Sequence, residues 1–132
     1  QPGMVPIQTL DNLIYFPDMM PTLAALAKGT KHLPKQINGI NILPLFYGKQ
    51  VDTDNRLLYW EFPGKQRAAR KGDWKCVTIH PNQPLELYNL KEDPEETNNL
   101  AKKYPRRVKE FDEEMQRMHI PTPNWPQPGE QF

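Results

Sequence analysis

Between residues 57 and 90, apolar and polar side chains follow the two-residue alternation of β-strands. Residues 57–62 are rich in aromatic and strand-forming side chains, and residues 74–79 and 85–90 alternate between two faces. Turn-forming residues separate these runs, and Lys71-Gly72 is typical of a tight hairpin turn. Together with residues 67–70, which lead into that turn, the pattern predicts four short antiparallel strands in a meander.

The clearest helical spacing follows these strands, within residues 91–120. Val108, Phe111, Met115 and Met118 recur with a 3.6-residue period and predict a helix docked on one face of the sheet. Two positions resemble helix starts. Asp93 before Pro94 combines a capping residue with a first-turn proline, and Tyr104-Pro105 offers a second start. The prolines after His119 predict an extended tail.

Near the amino end, a shorter helix is predicted over residues 19–27. Asp18 is placed to cap it, Gly29 to end it, and Pro21 falls in the first turn, where proline is tolerated. Its apolar side chains on one face are expected to point into a core. Residues 30–55 are broken by proline and glycine and read as an irregular packed connection.

Composition narrows the class of protein. Proline accounts for 15 of 132 residues, which argues against a mostly helical bundle. Seventeen Lys and Arg against sixteen Asp and Glu leave a net charge of +1, so we expect neither a nucleic-acid nor a membrane partner. No apolar run approaches the ~20 residues that span a bilayer.

Residues with catalytic or metal-binding chemistry are few. One cysteine excludes an internal disulfide framework, and serine is absent. Cys76 lies within a predicted strand, which favours a buried structural thiol. Residues 52–55 superficially resemble a calcium loop but lack its glycine and glutamate, which favours a solvated turn. His80 and His119 adjoin proline-rich loops, which favours an exposed or locally hydrogen-bonded role over a metal-binding or catalytic one.

Positive charge is concentrated between Arg56 and Cys76. Six cations lie there against Glu61 and Asp73, a local excess of +4 in a nearly neutral chain. If hairpins gather these cations, they could hold a sulfate or phosphate group. An ordinary charged sheet edge that discourages aggregation explains the same pattern.

Five motifs, in order along the chain, resemble a known family. They occupy residues 18–27, 39–48, 58–62, 69–75 and 86–101. The most specific are the Arg-Lys-Gly-Asp-Trp-Lys hairpin and the later run Asp-Pro-Glu-Glu-Thr-Asn-Asn-Leu. Over residues 1–118 the series resembles the C-terminal part of an arylsulfatase-type sulfatase of the alkaline phosphatase superfamily.

The resemblance implies that catalysis belongs to a large N-terminal α/β domain. That domain would carry calcium and a formylglycine made in a Cys/Ser-x-Pro-x-Arg motif. Cys76 is followed by Val-Thr-Ile and does not match, and Asp11-Asn12 lies too close to the predicted helix to be the family's metal motif. We therefore expect this chain to be a fragment that has no catalytic residue, metal ligand or cofactor of its own.

The implied fold class is α+β, with a small four-stranded antiparallel sheet and a packed C-terminal helix. Residues 1–55 would be the end of the catalytic α/β domain and a linking segment, residues 56–120 a C-terminal subdomain, and residues 121–132 a proline-rich tail. The turn after the first strand is expected to contact a sulfated substrate at the cleft rim. Its candidate binding residues are Lys65, Gln66 and Arg67, with Gly64 in the same turn.

The function implied is sulfate ester hydrolysis, on a carbohydrate, by a parent enzyme in which this segment is non-catalytic. Two alternatives remain open: a stand-alone binding module for anionic glycans or proteins, and a related phosphoester or phosphonate hydrolase. Expected partners are the missing N-terminal sulfatase domain and a sulfated carbohydrate, and the resemblance suggests a periplasmic or secreted location. Self-association through residues 1–55 is expected if their apolar side chains lack partners.

Overall fold

A computed structural model describes residues 5–62, 66–80, 82–124, 126 and 130–131. The chain divides into two compact units, Gln1–Asn55 and Arg56–Phe132, called the N-terminal and C-terminal units below. Among the described residues, no helix is long and apolar enough to cross a membrane.

The N-terminal unit is built from short helices joined by irregular chain. Two are α-helices, α1 (Met19–Leu26) and α2 (Leu43–Phe46), and two are single 3₁₀ turns, Phe16–Asp18 and Thr30–His32. Helices this short are marginal alone, so contacts between segments must hold the unit together.

Asp18 is the centre of those contacts rather than the predicted side-chain cap of α1. Its carboxylate is fully buried and caps no N–H of α1. It accepts hydrogen bonds from the backbone N–H of Tyr15 and of Ile40, each at 2.9 Å. One turn later, the Thr22 hydroxyl donates to the Asp18 carbonyl at 2.6 Å and accepts from the Ile42 N–H at 3.0 Å. The side chain of Asp18, just before α1, and that of Thr22, within α1, thereby bind the backbone of the segment that contains Ile40 and Ile42.

The prediction that the apolar side chains of α1 point into a core is wrong for Leu23 and Leu26. Its buried residues are Pro21 and Thr22, while Leu23 and Leu26 are 60% and 58% exposed. The exposed leucines leave an apolar surface on the helix.

The C-terminal unit confirms the predicted α+β fold. Its sheet runs in the order β1 (Leu58–Phe62), β2 (Gln66–Lys71), β3 (Trp74–Thr78) and β4 (Glu86–Asn89), and each neighbouring pair is antiparallel. Gly72 adopts a φ of 55° in the β2–β3 turn, a left-handed conformation that glycine reaches without steric cost.

Helix α3 (Pro105–Met118) covers one face of this sheet and begins at the second of the two predicted starts. Its buried Phe111 and Met115 pack into a core with Ala69, Cys76 and Leu87, one residue from each of three adjacent strands. The register places those three side chains opposite one another, so the period-2 pattern of the strands and the 3.6-residue pattern of α3 meet in one layer.

The other predicted start, at Asp93, does not begin a helix. Its carboxylate accepts from the N–H of Thr97 at 3.1 Å and of Asn98 at 2.8 Å, as a cap would. Glu96 has a φ of 57°, which directs the chain away from a helical path. The capping chemistry is therefore used in a turn that leads back to β4, where the Leu100 N–H donates to the Leu87 carbonyl at 2.7 Å.

Candidate functional site

The predicted substrate-contact residues flank the β1–β2 turn. Lys65 and Gly64 lie outside the described residues, and Gln66 and Arg67 open β2. Adjacent strand residues point to opposite faces, so these two side chains diverge. Arg67 lies on the α3 side of the sheet, where its guanidinium Nη2 is 3.6 Å from the Asp112 carboxylate.

Gln66 lies on the sheet face opposite α3, which we call the open face. Its partner across the β1–β2 pair is Phe62, which is 64% exposed. Trp60 and Ile79 are also exposed, at 41% and 57%, and line a shallow groove together with Phe62 and Gln66. This apolar groove was not predicted. The sequence held a signal for it, because Trp60 and Phe62 are two residues apart in β1 and therefore lie on the same face.

Three cations of the predicted positive segment are held within the C-terminal unit. Besides the Arg67 pair, the Lys75 ammonium contacts both oxygens of Glu96 at 2.5 and 2.7 Å. The Arg70 side chain donates to the Gly72 carbonyl at 3.0 Å. Much of the local excess of charge is thus used to brace the sheet and its turns.

His119 forms an arrangement that sequence reasoning missed. It caps the C-terminus of α3, and its ring nitrogens lie 2.6 Å from a Glu61 oxygen and 2.6 Å from a Glu130 oxygen. The side chain is only 10% exposed. The same Glu61 oxygen accepts a hydrogen bond from the Tyr59 hydroxyl at 2.5 Å. The three residues Glu61, His119 and Glu130 are called the histidine clamp below.

The clamp favours the charged imidazolium. Burial opposes the charge, but hydrogen bonds to both carboxylates, with their negative charges, outweigh it and raise the pKa of His119 above its usual value. Only the doubly protonated ring can donate to both glutamates. The clamp therefore ties β1, the end of α3 and the tail together.

The other residues considered as catalytic or metal-binding candidates have structural roles. Cys76 is fully buried, and burial, reinforced by the charge of Asp112, raises its pKa to about 12. Asp52 accepts from Asn55 Nδ2 at 2.8 Å, and Asp52, Asp54 and Asn55 are exposed, as predicted for a solvated turn. Thr53 in the same turn is buried, and its hydroxyl accepts a hydrogen bond from the Leu13 N–H at 3.1 Å. The His80 ring accepts from the Asn82 N–H at 3.3 Å and is exposed. Across the described part of the chain, no three His, Cys, Asp or Glu side chains gather as a metal site.

The C-terminal unit is thus a small antiparallel sheet with one covering helix. The chain belongs to the family described as N-sulphoglucosamine sulphohydrolase, C-terminal, whose model matches residues 2–120. This confirms the predicted resemblance to the C-terminal part of a sulfatase.

Sequence relatives agree with that assignment. An uncharacterized protein of Haemophilus influenzae is 32% identical over 93% of this chain and 67% of its own length. An uncharacterized sulfatase of Schizosaccharomyces pombe is 32% identical over 72% of the chain, and arylsulfatase K of Gallus gallus is 29% identical over 84%. This chain spans only 19% and 23% of those two sulfatases.

Solved structures show the same fold. A Bacteroides thetaiotaomicron chain described with the metabolism of multiple glycosaminoglycans superposes with a TM-score of 0.62 at 27% identity, covering 76% of this chain and 24% of that one. A 2-O GAG sulfatase superposes with a TM-score of 0.58 at 28% identity, with the same two coverages. The chain thus corresponds to about a quarter of each solved protein.

Proposed function

We propose that this chain is the non-catalytic C-terminal part of a sulfatase that hydrolyses sulfate esters of a carbohydrate. The observation that carries the proposal is the family match over residues 2–120. The described residues agree with it, because their one thiol is buried and the rings of His80 and His119 are engaged in hydrogen bonds. Hydrolysis of a sulfate ester requires a nucleophile and charge stabilisation assembled at one place.

The catalytic machinery is proposed to lie in an N-terminal α/β partner domain that contains calcium and formylglycine. The N-terminal unit of this chain would be the end of that domain. In support, it exposes several large apolar side chains, among them Ile7 at 107%, Phe16 at 87% and Leu23 at 60%. Apolar surface of this kind is typical of an interface. In the absence of the catalytic domain, we expect it to drive self-association.

Not all of the predicted self-association surface is available. Ile42 and Leu45 are buried within the described chain, whereas Ile14 and Phe16 are exposed. Static light scattering of the isolated chain should therefore show a dimer or larger assembly, and changing Phe16 to serine should shift it toward monomer. A monomer at high concentration would remove this part of the proposal.

We further propose that the β1–β2 turn forms one rim of the substrate cleft. Lys65 would supply charge for a sulfate group and Gln66 a hydrogen bond, while Arg67 is positioned by its ion pair with Asp112. The open face beside Gln66, with Phe62 exposed, offers an apolar surface for a sugar ring.

The rim is tested in the complete sulfatase that contains this chain. Changing Lys65 or Gln66 to alanine should raise KM for a sulfated oligosaccharide and leave kcat nearly constant, because a contact made equally in ground and transition states affects binding alone. Lys91→Ala, an exposed lysine after β4, is the matched control. Unchanged KM in both rim variants would contradict the rim and leave the sulfatase assignment intact.

A further inference from the structure

A second positively charged surface surrounds the start of α3. Five cations fall within eight residues: Lys102, Lys103, Arg106, Arg107 and Lys109. All five side chains are exposed. We call the first four the α3 patch, because Lys109 is paired with Glu113 at 3.7 Å.

The α3 patch differs in its partners from three other cations of the C-terminal unit. Arg67, Lys75 and Arg117 each contact a carboxylate. Within the described part of the chain, no carboxylate lies within ion-pair distance of any member of the α3 patch. Its charge is therefore available to an external anion.

Aromatic rings, rather than acids, order this surface. The Arg107 guanidinium lies 4.3 Å from the ring centroid of Trp74, and the Lys103 ammonium lies 5.3 Å from that of Tyr104. The two rings pack edge to face with centroids 5.3 Å apart. A guanidinium held over a ring can still donate its N–H groups to an anion, and it loses less freedom when it binds.

The position of the patch is unfavourable for the helix itself. Arg106 and Arg107 occupy the first turn of α3, and that turn has no acidic residue. The positive end of the helix dipole favours anions there and disfavours cations. An external polyanion bound at this point would remove the conflict.

We infer that the α3 patch binds a sulfated polysaccharide chain at a site separate from the predicted β1–β2 rim. The choice of a sulfated glycan rests on the proposed function. The repeating anions of such a chain suit a cluster of cations, and arginine binds sulfate oxygens in a bidentate manner.

Heparin oligosaccharide binding to the 132-residue chain tests this inference, measured by calorimetry at several salt concentrations. The test variant carries Lys102→Ala, Lys103→Ala and Arg106→Ala, which leaves Arg107 on Trp74. Its matched control carries Lys31→Ala, Lys35→Ala and Lys49→Ala, which removes the same charge from exposed positions elsewhere. The patch variant should weaken binding at least about tenfold. It should also flatten the salt dependence, because fewer cation contacts release fewer counterions.

The control should change the affinity by less than about twofold, as expected for scattered surface charges. Equal losses in the two triple variants would overturn the inference, as would a single-stranded DNA oligonucleotide that binds as tightly as heparin. A second variant keeps the inference testable if the first does not fold. Glu110 adjoins Arg107 in the groove beside α3, so Glu110→Gln should strengthen binding, and unchanged or weaker binding would contradict the site. Neither result depends on sulfate turnover.

Discussion

The ring of His119 lies 2.6 Å from the carboxylate of Glu61, although 58 residues separate the two along the chain. This contact joins the end of α3 to the first strand of the sheet. With Glu130 on the other ring nitrogen, it is a polar tie between the sheet, the helix and the tail.

Removing the ring should destabilise the C-terminal unit. His119→Ala leaves Glu61 and Glu130 without a shared cationic donor, and we expect the free energy of unfolding at pH 6 to fall by about 1–3 kcal/mol. Urea denaturation measures the loss. His80→Ala, at an exposed ring with one weak contact, is the control and should have little effect. Equal losses in the two variants would show that the clamp adds no stability.

The clamp should also make stability depend on pH. Because the folded pKa of His119 is raised, its contribution is complete below the ordinary histidine pKa and disappears as pH rises through the folded value. The wild-type chain should therefore be less stable at pH 8.5 than at pH 6. This difference should shrink in His119→Ala, and an identical pH dependence in the variant would contradict the clamp.

Close backbone packing in the N-terminal unit gives a steric prediction. A Cβ on Gly39 would lie 1.9 Å from the Pro17 carbonyl oxygen. Because that oxygen belongs to the backbone, no side-chain rotation can relieve the clash. Gly39→Ala should therefore destabilise the unit strongly, by about 3 kcal/mol or more. At Gly29 the added carbon would meet its nearest neighbour at 3.8 Å, so Gly29→Ala is the matched control. Thermal unfolding that shifts equally in both would show that the approach at Gly39 is relaxed.

The buried thiol gives a chemical prediction. Cys76 is fully buried with a pKa of about 12, so the native chain should react with a thiol reagent at pH 8 only as fast as it unfolds. Denaturant should release one thiol per chain. Rapid labelling of the native protein would show that β3 or α3 is displaced in solution.

The sheet could be predicted because its signal is local. In β3, Cys76 and Thr78 point to one face whatever the rest of the chain does, and the burial of both follows from that alternation. Helix α3 was equally clear from the spacing of Phe111 and Met115. These patterns fix which side of each element is buried.

Other features depended on contacts that no local pattern encodes. Asp18 and Asp93 both looked like helix caps, because a carboxylate near free backbone N–H groups has the same signature in a cap and in a turn. The exposure of Leu23 and Leu26 on α1 cannot be read from amphipathic spacing alone. The pairing of Arg67 with Asp112 required knowing how α3 docks.

The histidine clamp could not be predicted from the sequence for a related reason. His119 and Glu61 are far apart in sequence, and His119 lies outside the five motifs that resemble the family. The turn with Lys65 and Gln66 remains a prediction, supported by family resemblance and by its position at the end of β1.

The most direct test of the account is sulfate release by the purified 132-residue chain. An aryl sulfate ester is incubated with the chain, with a heat-denatured sample and with an intact sulfatase under the same conditions. We expect release only from the intact enzyme, because the reacting groups are proposed to lie in the partner domain. Turnover by the chain above its denatured control would contradict the account.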